Sequence, residues 1–154
     1  MSTIAIGADD AALELKNLIK RHLESLHYEV VDYSNDARQD LPIYPDIAWS
    51  LANAISDGKF ARGILVCGTG IGMAIVANKV PGIRAAQCHD TYSAERARKS
   101  NNAQVMTLGA RVVGPELAKS IVNAWLASEF EGGGSTEKVE KIGFYEQTAQ
   151  NACR

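Results

Sequence analysis

Short apolar runs rich in β-branched residues alternate along this chain with stretches whose apolar residues recur at helical spacing. That alternation restricts the fold more than any other feature. Thr3–Ala8, Tyr28–Tyr33, Gly63–Cys67, Ile83–Cys88 and Gln104–Leu108 read as strands. Between the first two, Leu15, Leu18, Ile19, His22, Leu23 and Leu26 mark one helical face. Asn35–Asp40 is turn-like, Pro42 and Pro45 restart the chain, and Asp46–Asp57 reads as a second helix. A glycine-rich turn after Cys67 leads into a helix to about Lys79, and Thr91–Lys99 forms another with Asp90 placed to cap it. Gly114-Pro115 opens a further helix carrying Leu117, Ile121, Val122, Trp125 and Leu126, with proline at the favoured first position. Residues 131–136 are glycine-rich and loop-like, and Glu137–Ala149 reads as a closing helix, so that 137–154 is helix and tail. Five apolar strands separated by helices predict a three-layer α/β/α sandwich around a five-stranded parallel sheet, as one domain over residues 1–154. Ligands of such sheets sit beyond the carboxyl ends of the strands. That rule directs attention to Asp9-Asp10, Cys67–Gly72, His89-Asp90 and Leu108–Arg111.

A hydrophobic fraction of 46% is enough for a buried core around that sheet. The net charge of −2 and the lack of a basic stripe argue against nucleic acid as a partner. No apolar run approaches the roughly 20 residues that cross a bilayer, and no charged n-region precedes an h-region, so neither a membrane nor a secretory signal is expected. Cys67, Cys88 and Cys153 are far apart and lack zinc-site spacing, which suits a reducing cytoplasm.

The segment Cys67-Gly68-Thr69-Gly70-Ile71-Gly72 leaves a strand and starts a helix. Its glycines permit a tight turn and close approach of a ligand. The unpaired N–H groups at a helix start, with the dipole behind them, suit an anion or a developing enediolate. A thiol in such a place can act as base or nucleophile, and Thr69 could donate a hydrogen bond beside it. Position alone leaves Cys67 equally readable as a small core residue. Cys88 also ends a strand, but no glycine turn follows it, and it reads as core. A dinucleotide fingerprint fails at its third small residue, because Met73 or Ile75 stands there, and no Gly-Lys-Ser/Thr ends the turn as a phosphate-binding P-loop requires.

Together these residues bring a known family into view. The runs GILVCGTGIGMAIVANKVPGIRAA (63–86), YSAERA (92–97) and NNAQVMTLGARVVGPELAK (101–119), with IAIGADD near the start and IVNAWLASEFEGG later, resemble the type B ribose-5-phosphate isomerases, grouped with the galactose-6-phosphate isomerase subunits. The resemblance implies a Rossmann-like sheet and a homodimer, or a tetramer built from it, with the active site shared between subunits. It implies a small sugar phosphate as substrate, no cofactor and no metal, and chemistry through a cis-enediolate. Carried over, Cys67 is the base that moves a proton between C1 and C2, and Thr69 assists it. The amides of Gly68, Gly70, Ile71 and Gly72 hold the enediolate. Asp9 and Asn101 bind sugar hydroxyls, with Asp10 beside Asp9, and Arg111 helps with the phosphate.

This chain departs from the family pattern at three places. Asp9-Asp10 stands where the family reads Asp-His, Ser100 stands where it has the histidine that opens the sugar ring, and its G-G-R-H-x-x-R phosphate loop is here Gly132–Lys138. The first arginine is thereby lost and Lys138 replaces the second; Arg111 and Lys138 are the candidates for the phosphate, with Arg84, Arg96 or Arg98 as substitutes. A tetrose 4-phosphate cannot close a furanose, because O4 carries the phosphate, so an enzyme for it needs no ring-opening group. HDTYSAERA with SNNAQ also resembles the branch that handles erythrulose 4-phosphate. His89 reads either as a substitute ring-opening group or as a polar cap on a strand end. The expected activity is therefore aldose–ketose isomerisation of a pentose or tetrose phosphate. A non-catalytic sugar-phosphate binder, or a subunit needing a partner chain, is the alternative, and a nucleotide-binding domain is a third.

Overall fold

The computed structural model describes residues 2–34, 36–37, 40 and 43–153. Five strands, β1 (Thr3–Ala8), β2 (Glu29–Asp32), β3 (Arg62–Cys67), β4 (Ala85–Gln87) and β5 (Val105–Gly109), form a single parallel sheet in the order β2-β1-β3-β5-β4. The helices are α1 (Leu13–Ser25), α2 (Tyr44–Ser56), α3 (Ile71–Ala77), α4 (Thr91–Lys99), α5 (Pro115–Leu126) and α6 (Gly134–Ala152). The strand alternation decides which helices cover which face. Ile4, Ile6, Ile64, Val66, Met106 and Leu108 point into a core closed by Leu15, Ile19 and Leu23 of α1, Ala94 and Ala97 of α4, and Ile121, Val122 and Trp125 of α5. Ala5, Leu65, Cys67 and Val105 point the other way, into Ile47, Leu51 and Ile55 of α2 and Met73 and Ala77 of α3. This is the three-layer architecture that the alternation predicts.

The central strands match their apolar runs, but β2 and β4 are shorter than theirs. Both are edge strands with one pairing neighbour, so backbone pairing stops once the chain bends away. Asp90 caps α4 as expected, accepting from the Ser93 N–H at 2.6 Å and from the Ser93 hydroxyl at 2.7 Å. The closing helix starts at Gly134 rather than Glu137, because Gly132 and Gly133, at positive φ, end the preceding loop and release the next three residues into the helix. Pro42 and part of the 35–40 turn lie outside the described residues. Among the described residues no helix is long and apolar enough to cross a membrane.

The chain leaves β1 outward to β2 and then returns to β3 on the other side of β1. The crevice between the carboxyl ends of β1 and β3 is therefore the switch point at which parallel sheets take ligands. Asp9 and Cys67 stand there.

Candidate active site

The Cys67–Gly70 turn has all four of its carbonyls fixed from the β4–β5 side. Cys67 O accepts from the Ala110 N–H at 2.8 Å, and Gly68 O from the Arg111 N–H at 3.0 Å. Thr69 O accepts from Gln87 Nε2 and Gly70 O from Thr107 Oγ1, each at 2.8 Å. With the carbonyls drawn to one side, the N–H groups face other directions. Gly70 donates to Cys67 Sγ at 3.1 Å and Ile71 to Thr69 Oγ1 at 3.2 Å. Among the described residues, no acceptor meets the N–H of Gly68 or of Thr69. Two oriented donors beside a thiol form a place where an oxyanion can be held.

Two glycines make this packing possible. Gly70 sits at φ +79°, a left-handed conformation that L side chains rarely adopt, and caps α3. Gly109 lies so near the turn that a Cβ there would stand 2.8 Å from Thr69 Cα.

A cleft of about 590 Å³ opens over this turn, lined by Asp9, Tyr44, Cys67, Gly68, Thr69, Gly72 and Arg111 together with apolar neighbours. Arg111 lies across Gly68, its Cδ and Nη1 each 3.6 Å from where a Cβ would be. Tyr44, at the first position of α2, lays its ring over Gly72. Tyr44 was not legible in advance. Its signal is the missing Cβ of Gly72, which acquires meaning only when α2 and α3 are seen side by side.

Asp9 caps the short turn after β1 and accepts from the Ala11 N–H at 3.2 Å. Burial raises its carboxyl above the ordinary range and Asp10 adds to this, against the Ala11 hydrogen bond and the charge of Arg111. Asp10 is exposed and opens that turn. A buried ionic group anchors the strand end behind Asp9. Lys16, 1% exposed, reaches Asp32 at 2.9 Å and Asp36 at 3.0 Å. The Ser34 N–H donates to Asp32 and Ser34 Oγ accepts from the Ala8 N–H, each at 2.9 Å. Burial alone would raise Asp32, but the hydrogen bonds from Ser34 and Lys16, and the Lys16 charge, outweigh it and hold this carboxyl below its usual range.

The other candidates fall elsewhere. Burial, with Asp90 nearby, pushes the Cys88 thiol up to about 12, so it remains a neutral core thiol. His89 Nε2 accepts from the Gly109 N–H at 3.0 Å. An imidazole nitrogen in that role carries no proton, and the ring's hydrogen sits on Nδ1. Ser100 and Asn101 lie past the end of α4, before β5 begins, and the Asn101 carbonyl accepts from Arg84 Nε at 3.1 Å. The length of β5 therefore separates them from Cys67, roughly 16 Å at the usual rise per strand residue. Lys138 is exposed on α6, a helix with no buried residue. One chain thus brings together Asp9, Cys67, Gly68, Thr69, Gly70, Ile71, Gly72 and Arg111, while Ser100 and Asn101 lie toward the other end of β5 and Lys138 is on α6, outside the cleft lining. Among the described residues, no group of three or more His, Cys, Asp or Glu side chains stands as a metal site.

Residues 4–142 match the family model described as Ribose/Galactose Isomerase. The D-erythrulose-4-phosphate isomerase of Pectobacterium atrosepticum is 70% identical over 146 residues, covering 95% of this chain and 96% of the relative. Ribose-5-phosphate isomerase B of Escherichia coli is 44% identical over 149 residues, covering 96% and 98%. The solved ribose-5-phosphate isomerase B of Clostridium thermocellum superposes with a TM-score of 0.89 at 43% identity, covering 96% of this chain and 99% of its own. By sequence over nearly its whole length and by the arrangement of its strands, this chain belongs to the ribose/galactose isomerase family.

Proposed function

We propose that this chain interconverts the aldose and ketose forms of a tetrose 4-phosphate, erythrulose 4-phosphate being its ketose. The observation that carries the reading is the Cys67 turn, where a thiol lies beside two N–H groups that meet no acceptor within the described chain. In the aldose-to-ketose direction, Cys67 as thiolate takes the proton from C2. The C–H pair becomes the C1=C2 bond, and the carbonyl π pair moves onto O1. The Gly68 and Thr69 amides meet the developing oxyanion. O1 gains a proton as the O2 hydroxyl loses one, the C2–O2 bond becomes the carbonyl, and Cys67 returns its proton to C1. Asp9 binds a substrate hydroxyl, Thr69 orients the thiol, and Arg111 meets the phosphate.

Ser100 supports the shorter sugar. A pentose 5-phosphate is largely cyclic and calls for an acid–base group at the position serine occupies, whereas a tetrose 4-phosphate is open-chain. The Pectobacterium relative named for erythrulose 4-phosphate points the same way. The displaced positions of Ser100, Asn101 and Lys138 support a homodimer, in which a second copy completes each cleft. Exposed Ile43, Ile71 and Ile75 near the cleft, and Ile142, Phe144 and Tyr145 on α6, supply apolar surface for it. The whole chain acts as one isomerase domain, and its three free cysteines suit a reducing cytoplasm.

The test is kcat/KM of the purified chain for erythrulose 4-phosphate and ribose 5-phosphate, side by side. A preference of roughly a hundredfold or more for the tetrose is expected, the scale set by a site lacking a required group. A preference for ribose 5-phosphate refutes the tetrose assignment, and inertness toward both refutes the isomerase reading.

A further inference from the structure

The polar side chains behind the turn have no contact with the cleft, yet two of them hold backbone atoms that decide how it is shaped. Thr107 is wholly buried in the middle of β5. Its hydroxyl donates to the Gly70 carbonyl at 2.8 Å. That carbonyl also accepts from the Ala74 N–H at 3.2 Å as the first bond of α3, so the threonine is not needed to satisfy it. A valine-shaped residue would fill the same space in β5 without a buried hydroxyl. His89, past the end of β4, accepts from the Gly109 N–H at 3.0 Å. Gly109 is the residue whose backbone abuts Thr69. One side chain therefore pulls the turn's last carbonyl toward β5, and the other sets the height of the strand end on which Thr69 rests.

We propose that Thr107 and His89 are positioning residues for the reaction, acting together from β5 and β4 to aim the Gly68 and Thr69 amides and the Cys67 sulfur at the substrate. The inference rests on the isomerase reading and deepens it. It also gives His89 a task distinct from ring opening, since its Nε2 is already engaged by the hydrogen bond from the Gly109 N–H.

The test uses Thr107→Val, Thr107→Ser and His89→Leu in the full chain. Thr107→Val keeps the shape and removes the hydroxyl; kcat should fall at least roughly tenfold while KM stays within about threefold, the pattern of an interaction needed in the transition state alone. Thr107→Ser, which keeps the hydroxyl and loses the methyl, should recover most of that loss. His89→Leu should lower kcat similarly, and the double variant with Thr107→Val should lose clearly less than the product of the two single effects, because both act on one turn. Wild-type kcat in Thr107→Val, or equal losses in Thr107→Ser and Thr107→Val, overturns the proposal. If the wild-type chain turned over no sugar phosphate, the functional reading would fail separately. The positioning claim would then be read from the rate at which iodoacetamide alkylates Cys67, whose sulfur is held by the same turn. A changed rate in Thr107→Val that Thr107→Ser restores supports it, and identical rates in all three proteins refute it.

Discussion

Replacing Gly109 with alanine tests whether the position of the catalytic turn, rather than its composition, limits turnover. The new Cβ would sit 2.8 Å from both Thr69 Cα and Thr69 O, whereas ordinary contact begins near 3.4 Å. The deficit is 3.4 − 2.8, or about 0.6 Å, and both opposing atoms belong to the backbone, so no side chain can swing aside. The turn is tied to the same strand end by the Ala110 and Arg111 amides, so it must shift as a unit or lose those bonds. Overpacking of this kind costs about 1–3 kcal/mol, which for a chain of this size lowers Tm by roughly 2–12 °C. The effect on chemistry is larger in proportion. A misplacement of about 1 Å can cost roughly a hundredfold, so 0.6 Å should lower kcat at least roughly tenfold in a protein that still folds. The assay is isomerase turnover beside a thermal melt of the same sample. A folded Gly109→Ala variant with kcat within about twofold of wild type would show that the contact is absorbed without moving the reacting groups, and the reasoning would be wrong.

Iodoacetate should inactivate by modifying Cys67, with substrate protecting. The Cys88 thiol, pushed up to about 12, should stay unmodified, and a peptide map placing the label on Cys88 would identify the wrong thiol. Lys16→Met removes the buried cation shared by Asp32 and Asp36, leaving Asp32 only the half-buried Lys20 at 3.6 Å, and should cost about 1.5–3 kcal/mol. Adding Asp32→Asn should restore much of it, and a loss below about 1 kcal/mol in a urea melt would mean the pair contributes little. Because Asp32 is held below its usual range in the fold, its stabilisation is present above about pH 4 and is lost as acid takes the pH through the lowered value. Asp9 has the opposite sign, its contribution being present in acid and lost as pH rises through the raised value. Tm against pH for Asp32→Asn should therefore fall less steeply in acid than for wild type, and parallel curves would contradict this. Mixing inactive Cys67→Ala and Asn101→Asp chains through mild unfolding and refolding should restore part of the activity if the cleft is shared between copies. No recovery, with mixed dimers demonstrated, would show that each chain supplies its own site.

The sheet was legible because β1, β3 and β5 are buried on both faces, and two-sided burial demands the continuous apolar runs that the sequence displays. Edge strands were less legible, since the lengths of β2 and β4 depend on how far one neighbour remains in register. The turn at Cys67 could be read from its glycines, but the grip on it could not. Thr107 looks like any β-branched strand residue, and Gln87 like any polar strand end; their roles depend on β5 lying between β3 and β4, an order that the linear pattern does not encode. Asn101 and Lys138 show the reverse case. A family resemblance names them without saying which chain's cleft they enter; the length of β5 separates Asn101 from the thiol of its own chain, and Lys138 stands on α6, outside the residues that line the cleft.

The strand order has a consequence for how the molecule is made. β4 pairs only with β5, and one side of β3 stays unpaired until β5 arrives. A growing polypeptide that has emerged only as far as Lys99 therefore carries β3, wholly apolar except for Arg62 at its start, with an open flank and no scaffold for the residues after it. The thiol and its amides come into alignment late, when residues 105–113 thread between two strands already synthesised. The interval before insertion is when this protein most needs protection from pairing with a neighbour.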